Sequence, residues 1–156
     1  MVDLGCGTGI LPIVLSENGG YKGKVFAIDN QAGAIEATKM NSKIFGMDSR
    51  VSTLEADIVD LYYKDMEKPE ATRTDQTKEV AFYRKLSKDL GYPFTVDLIL
   101  CNPPWIPAQY VTEISPLDNG VYDPQEKFLK SAFNFSRLHL DKTKGEMLLI
   151  YSDLAY

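Results

Sequence analysis

Short apolar runs alternate along the chain with longer segments whose apolar residues recur at helical spacing. The apolar runs predict five strands: Val2 to Leu4, Lys24 to Asp29, Arg50 to Ala56, Val96 to Cys101 and Glu146 to Tyr151. The helical segments between them are Ile10 to Glu17, Gln31 to Phe45 and Gln125 to Leu140. Strictly alternating strands and helices favour a parallel sheet covered by helices on both faces, so we expect a doubly wound α/β fold.

Two features modify this pattern. The segment from Leu61 to Thr95 is much longer than an ordinary connection, and within it Lys78 to Leu90 has helical spacing. We therefore predict a single domain over residues 1–156 that carries an insert at residues 61–95. The last predicted helix directs one face to the core, through Phe128, Leu129, Ala132, Phe133 and Ser136. His139 lies near the end of that helix, where the helix terminus favours a cation.

Composition and charge narrow the class of protein. The 156 residues are 44% hydrophobic and 25% charged, which is typical of a globular domain. A protein that binds nucleic acid through its phosphates usually has a basic surface, and the net charge of −5 gives no indication of one. We found no apolar run of the ~18 residues that a membrane span needs and no secretory signal, so we expect a cytoplasmic protein without a membrane partner. Its two cysteines, Cys6 and Cys101, are then expected to be reduced thiols, and no metal ligand set is recognisable.

The first nine residues contain a glycine loop between a strand and a helix. Gly5, Gly7 and Gly9 form G-x-G-x-G, and Ile10 stands where a dinucleotide-binding loop has its third glycine. Glycine at these positions permits unusual backbone angles and close approach of a ligand.

Three aspartates lie at or near the ends of the first three predicted strands. Asp3 precedes the loop, Asp29 closes the second strand and Asp57 follows the third. Because the carboxyl ends of parallel strands line one crevice, we expect these aspartates to face one ligand. Three carboxylates would repel phosphates and suit a cationic nucleoside. Each could instead only cap the helix that follows it.

A stiff tetrapeptide, Asn102-Pro103-Pro104-Trp105, follows the fourth strand. The side-chain oxygen of Asn102 and the backbone carbonyl of Pro103 could accept the two N–H bonds of a planar amino group. Consecutive prolines fix the backbone that carries these acceptors, and Trp105 offers a flat face for stacking. The alternative is an ordinary proline turn followed by a core aromatic residue.

Together, the glycine loop, the aspartates after successive strands and the Asn-Pro-Pro-Trp hook resemble the class I S-adenosylmethionine-dependent methyltransferases, in the branch that methylates amino groups. The resemblance implies a Rossmann-like sheet in the order 3-2-1-4-5 and S-adenosyl-L-methionine as cofactor. It implies cofactor contacts at Asp3, Gly5, Cys6, Gly7, Gly9, Asp29, Asn30, Asp57, Ile58 and Asn102, and catalytic roles for Asn102, Pro103 and Trp105. Such proteins have residues before the loop and two strands after the fifth, so we expect this chain to be truncated at both ends.

The hook also bears on the methyl acceptor. Asn102 to Pro107 and the later Ser115 to Gly120 are similar to segments of release-factor glutamine methyltransferases, with Trp105 in place of the usual tyrosine. That similarity implies a protein glutamine amide, on a partner such as a translation release factor, as the acceptor. Methyltransferases that act on base amines of rRNA, tRNA or DNA share the hook and remain the alternative. A third possibility is a cofactor-binding fragment without activity.

Overall fold

Five parallel strands form one sheet in the order β3-β2-β1-β4-β5. The computed structural model describes residues 1–63, 94–106, 115 and 118–151. Its strands are Val2–Leu4 (β1), Val25–Asp29 (β2), Val51–Glu55 (β3), Leu98–Cys101 (β4) and Glu146–Leu149 (β5). The predicted fold class and strand order are confirmed. The chain moves outward from β1 to β3 and then returns to the other side of β1, which opens a crevice beyond the ends of β1 and β4.

Within the described residues, three longer helices accompany the sheet: Ile10–Glu17 (α1), Ala32–Ile44 (α2) and Lys127–His139 (α3). Short helical turns occupy Val59–Tyr63, Asp118–Gly120 and Pro124–Glu126. α2 ends at Ile44, one residue before the predicted end at Phe45, and Gly46 takes a left-handed φ of 64° that a helix cannot continue. The helix predicted from Lys78 to Leu90 lies outside the described residues.

The core has a layer on each face of the sheet. Val2 and Leu4 of β1 pack on one face together with Phe135 of α3. On the other face Val25 and Leu100 pack with residues of α1. The central strands are thus buried on both sides, which explains why their sequences read as continuous apolar runs.

α3 differs from its prediction at its start and in the face that it buries. Gln125 and Glu126 have φ angles of 59° and 56°, so the α-helix begins only at Lys127. Phe133 is 51% exposed, whereas Phe135 is fully buried. The expectation that Phe133 belongs to the core was therefore wrong. Residues two apart on a helix point in nearly opposite directions, so burying Phe135 exposes Phe133.

His139 at the end of α3 is a buried residue rather than a surface cation. Its ring stacks on Phe94 with centroids 4.3 Å apart, and its Nε2 lies 3.1 Å from the hydroxyl of Tyr62. Tyr62 and Phe94 stand on either side of residues 64–93, so His139 joins the two ends of that stretch. Burial lowers the pKa of His139 from its ordinary 6.5 to about 4.

This lowered pKa predicts a loss of stability in mild acid. The unfolded chain takes up a proton near pH 6.5 that the folded protein binds only near pH 4, so stability falls as the pH drops through this window. The expected loss is about 3 kcal/mol of unfolding free energy. Urea unfolding of the wild type and of His139→Gln across this range measures it. The glutamine variant should lack this part of the slope, and identical slopes for the two proteins would contradict the prediction.

Candidate functional site

The glycine loop between β1 and α1 is built from left-handed backbone. Gly5, Gly7 and Gly9 have φ angles of 70°, 53° and 74°, which side chains disfavour. A Cβ at residue 5 would lie 2.9 Å from Cζ of Phe128, and one at residue 9 would lie 3.0 Å from Cγ2 of Thr38. A Cβ at residue 7 would meet nothing within 4 Å. Gly7 therefore borders open space, while the other two glycines allow close packing.

Asp29 holds this loop in place. Its Oδ2 accepts a hydrogen bond of 2.9 Å from the backbone N–H of Gly7, and its Oδ1 accepts one of 2.9 Å from Gln31. The carboxylate thus fixes the turn just before α2 and also ties down the glycine loop. It does not cap the helix, because the N-cap residue of α2 is Gln31 and no side-chain cap hydrogen bond forms there. Each carboxylate oxygen has a second lone pair, so Asp29 can still accept hydrogen bonds from a ligand.

An open cavity of about 270 Å³ lies above the loop, and we call it the glycine-loop cleft. The cleft brings together seven of the predicted site residues: Gly5, Gly7, Asp29, Asn30, Asp57, Ile58 and Asn102. It also has lining residues that the sequence reasoning missed: Ile28, Gln31, Ala34, Ala56, Pro104, Gly120 and Phe128. The first four adjoin predicted residues or lie one helical turn away, so position alone could have found them. Gly120 belongs to the segment Ser115 to Gly120 whose similarity was noted from the sequence, whereas nothing in the local sequence marks Phe128 as a residue of the cleft.

Asp57 forms the far side of the cleft. Its Oδ1 accepts a 2.8 Å hydrogen bond from the backbone N–H of Val59, which begins the short helix there. Its Oδ2 lies 3.5 Å from the amide nitrogen of Asn30. Both side chains keep hydrogen-bonding capacity on the solvent side, while Ile58 between them is buried and contributes an apolar surface.

Three predicted cofactor contacts, Asp3, Cys6 and Gly9, lie outside the lining of the cleft. The Cys6 thiol is buried and accepts a 3.4 Å hydrogen bond from the hydroxyl of Thr38. Both cysteines are free, and burial raises the pKa of each thiol to about 12. Cys6 and Cys101 are therefore packing residues with little thiolate at neutral pH.

Asp3 lies beneath the loop and is fully buried. Neither of its carboxylate oxygens has a hydrogen-bond partner among the described residues. Burial, followed by the neighbouring negative charge of Asp29, raises the pKa of Asp3 to about 7. An unpaired carboxylate in this position costs folding free energy, which makes it a candidate for a functional group.

A second cavity of about 380 Å³ surrounds the Asn-Pro-Pro-Trp hook, and we call it the hook pocket. Its lining comprises the three residues predicted as catalytic, Asn102, Pro103 and Trp105, and three that were not predicted, Ile106, Gly120 and Val121. The indole N–H of Trp105 donates a 3.0 Å hydrogen bond to Oδ1 of Asn102. Asn102 and Gly120 line both cavities, so the glycine-loop cleft and the hook pocket share a wall.

The outer wall of the hook pocket is fixed through Asp123. The backbone N–H groups of Trp105 and Ile106 donate to the carbonyl of Val121, and the N–H of Asp123 donates to the carbonyl of Ile106. The buried carboxylate of Asp123 accepts hydrogen bonds of 2.8 and 3.0 Å from the N–H groups of Phe128 and Leu129. Burial raises the pKa of Asp123, and these two hydrogen bonds oppose that rise.

The sheet order and the cleft beyond the strand ends define an α/β protein of the doubly wound class. Comparison with known proteins gives the family: the chain matches the family described as "Methyltransferase domain" over residues 1–154, and it belongs to that family. The prediction of a methyltransferase is confirmed at this level, and family membership supports S-adenosylmethionine as the cofactor.

Individual relatives match either a shorter part of the chain or most of the chain at low sequence identity. A probable cobalt-precorrin-6B C(15)-methyltransferase (decarboxylating) of Pyrobaculum aerophilum is 39% identical over 64 residues, which are 41% of this chain and 33% of that protein. Two solved structures are also similar. StiE O-MT is 18% identical, with 95% of this chain and 36% of that chain covered and a TM-score of 0.49. A geranyl diphosphate methyltransferase in complex with SAM is 13% identical, with 85% of this chain and 56% of that chain covered and a TM-score of 0.41. The chain spans about a third of the length of the curated relative it matches.

Two negative findings concern the described residues alone. None of their helices has both the length and the apolar character needed to cross a membrane. Within the same residues, histidine, cysteine and acidic side chains form no group of three or more that could hold a metal ion.

Removal of the Asp3 charge is expected to stabilise the protein at alkaline pH. The folded protein keeps the Asp3 proton up to about pH 7, whereas the unfolded chain loses it near 3.8, so stability falls as the pH rises through this window. From about pH 5 to pH 8 the wild type should lose roughly 2–3 kcal/mol through this group, and Asp3→Asn should not. Urea unfolding of both proteins at the two pH values tests this. A constant stability difference between them would contradict the raised pKa.

Proposed function

We propose that this chain binds S-adenosylmethionine in the glycine-loop cleft and transfers its methyl group to a planar amino group held in the hook pocket. The observation that carries the proposal is the shared wall: Asn102 borders both cavities, so a cofactor in one and an acceptor in the other would meet at its side chain. Holding two reactants in line can supply about 7–11 kcal/mol of the barrier to such a transfer.

The residues of the cleft fit this cofactor. Gly7 leaves room for close approach to the main chain, and the unpaired carboxylate of Asp3 beneath the loop suits a positively charged ligand. Asp29 would accept the ribose hydroxyls. Asp57 and Ile58 would contact the adenine, with Asn30 flanking the ring. When bound, the cofactor supplies an electrophilic methyl group on a sulfonium centre.

The hook would orient the acceptor nitrogen. The lone pair of an amide or base amine is conjugated, so the nitrogen must pyramidalise before it can form the new bond to carbon. Oδ1 of Asn102 and the carbonyl of Pro103 would accept its N–H bonds, and the ring of Trp105 would stack on its planar group. Held in this way, the acceptor nitrogen would form its new bond to the methyl carbon as that carbon leaves sulfur, and the extra proton on nitrogen would pass to water.

A protein glutamine amide is the favoured acceptor, and a translation release factor is the partner that the hook and its following loop suggest. The charges around the site support a protein over a nucleic acid. Among the described residues that line the two cavities, the ionisable side chains are the carboxylates of Asp29 and Asp57. A strand of phosphates would gain nothing there. The Pyrobaculum relative is named for a carbon acceptor, and a similarity over 64 residues is too short to carry that acceptor to this chain.

Cofactor binding is tested first, by calorimetry with S-adenosylmethionine. Asp29→Ala removes charge-assisted hydrogen bonds and should weaken binding roughly 10- to 100-fold. Glu55→Ala is the matched control, because Glu55 pairs with Asp29 across the strands yet is exposed and outside the cleft lining. An equal loss of affinity in the two variants, or a folded wild type that does not bind S-adenosylmethionine, would contradict the proposal.

Transfer is tested with a radiolabelled methyl group and fractionated protein and RNA pools. Asn102→Ala should keep cofactor affinity within about three-fold and abolish transfer, because it removes an acceptor that is needed only as the new bond forms. Asn18→Ala, at the exposed end of α1, serves as the control. Label in RNA alone would favour the base-amine alternative. Cofactor binding without transfer to any pool would assign the chain to the cofactor-binding fragment.

A further inference from the structure

Trp105 contacts the one side chain that both cavities share. Its indole N–H lies 3.0 Å from Oδ1 of Asn102. An indole nitrogen can only donate a hydrogen bond, so its partner on the carboxamide must be the oxygen and not the NH₂ group. We propose that Trp105 is a positioning residue, which holds the carboxamide of Asn102 in the one orientation that presents Oδ1 to the acceptor. This role rests on the proposed N-methyl transfer.

Asn102 needs such a partner because its side chain is exposed. In water the carboxamide can turn over freely, since both of its ends form hydrogen bonds with solvent. The turned-over form would direct an NH₂ group at the N–H bonds of the acceptor, where two donors would face each other. A hydrogen bond from Trp105 favours the productive orientation by roughly two- to ten-fold. Oδ1 has a second lone pair, so it can accept from Trp105 and from the acceptor together.

The backbone around Trp105 is rigid enough to act in this way. Pro103 and Pro104 restrict the chain between the two side chains, and the hydrogen bond closes this tetrapeptide into a ring. The N–H of Trp105 and that of Ile106 both donate to the carbonyl of Val121, at 3.1 and 3.0 Å. Trp105 is therefore tied both to the residue that it orients and to the opposite wall of the hook pocket.

The contact can be observed without any activity, because Trp105 is the single tryptophan of the sequence. A ¹⁵N-correlated NMR spectrum of the 156-residue chain should contain one indole N–H signal. In Asn102→Ala this signal should move upfield and exchange faster with water, whereas Asn102→Asp, which keeps an oxygen acceptor, should retain the protection. Asn18→Ala is the control. An indole signal that is unchanged in Asn102→Ala would overturn the inference.

The positioning role is tested with Trp105→Phe, which keeps a flat ring and removes only the donor. The initial rate of methyl transfer into the protein pool should fall roughly two- to ten-fold, with the affinity for S-adenosylmethionine changed by less than about two-fold. A full rate in Trp105→Phe would overturn the role. A wild type that binds the cofactor and transfers nothing would instead refute the proposed function, and the NMR result would still decide whether Trp105 orients Asn102.

Discussion

The two hydrogen bonds to the carboxylate of Asp29 are the interaction on which the site depends. One comes from Gly7 in the loop after β1 and the other from Gln31 at the start of α2. Other N–H groups of the loop donate to main-chain carbonyls: those of Gly5 and Cys6 to Ile28 of β2, and that of Gly9 to Cys6. The N–H of Gly7 is held instead by the side chain of Asp29, so the middle of the loop is also fixed relative to β2 and the floor of the glycine-loop cleft becomes a defined surface.

The buried carboxyl group of Asp3, beneath the floor of the glycine-loop cleft, is in an electrostatically unfavourable position when no cation is bound. Asp3 is buried beside Asp29, whose charge disfavours ionisation of Asp3 and adds to the effect of burial. A buried aspartate next to another carboxylate costs folding free energy, and a leucine at this position would pack without that cost. The arrangement becomes favourable when a cation lies above the loop, because a positive charge lowers the pKa of Asp3 and offsets its burial. The sulfonium and ammonium groups of S-adenosylmethionine carry charge of this sign.

Much of the sheet and half of the glycine-loop cleft could be predicted from local sequence. α1 runs from Ile10 to Glu17 as its spacing predicted, and the parallel order follows from the alternation of elements. Asp29 could be predicted because the end of a strand is marked locally. Phe128 could not, because its place in the cleft depends on a contact with Gly5 more than a hundred residues earlier in the chain.

Tertiary contacts also explain where local patterns misled. Phe133 and Phe135 are equally apolar, and the helical spacing alone placed Phe133 rather than Phe135 on the predicted core face. The choice depends on Tyr62, whose ring meets that of Phe135 edge-on at 5.3 Å. His139 has the same explanation: its surroundings come from Tyr62 and Phe94, and neither is its neighbour in sequence.

The first turn of α3 contacts the walls of both cavities. Phe128 packs its ring against Gly5 and donates its N–H to Asp123, whose own backbone is bonded to the strand-like segment beyond the hook. Gln125 and Glu126, between Asp123 and the helix, hold left-handed angles that cost free energy for residues with side chains. Such a conformation persists only where surrounding contacts enforce it, and the paired hydrogen bonds to Asp123 are of that kind. Because this turn contacts both the glycine loop and the outer wall of the hook pocket, a substitution that disturbs it is expected to affect both cavities.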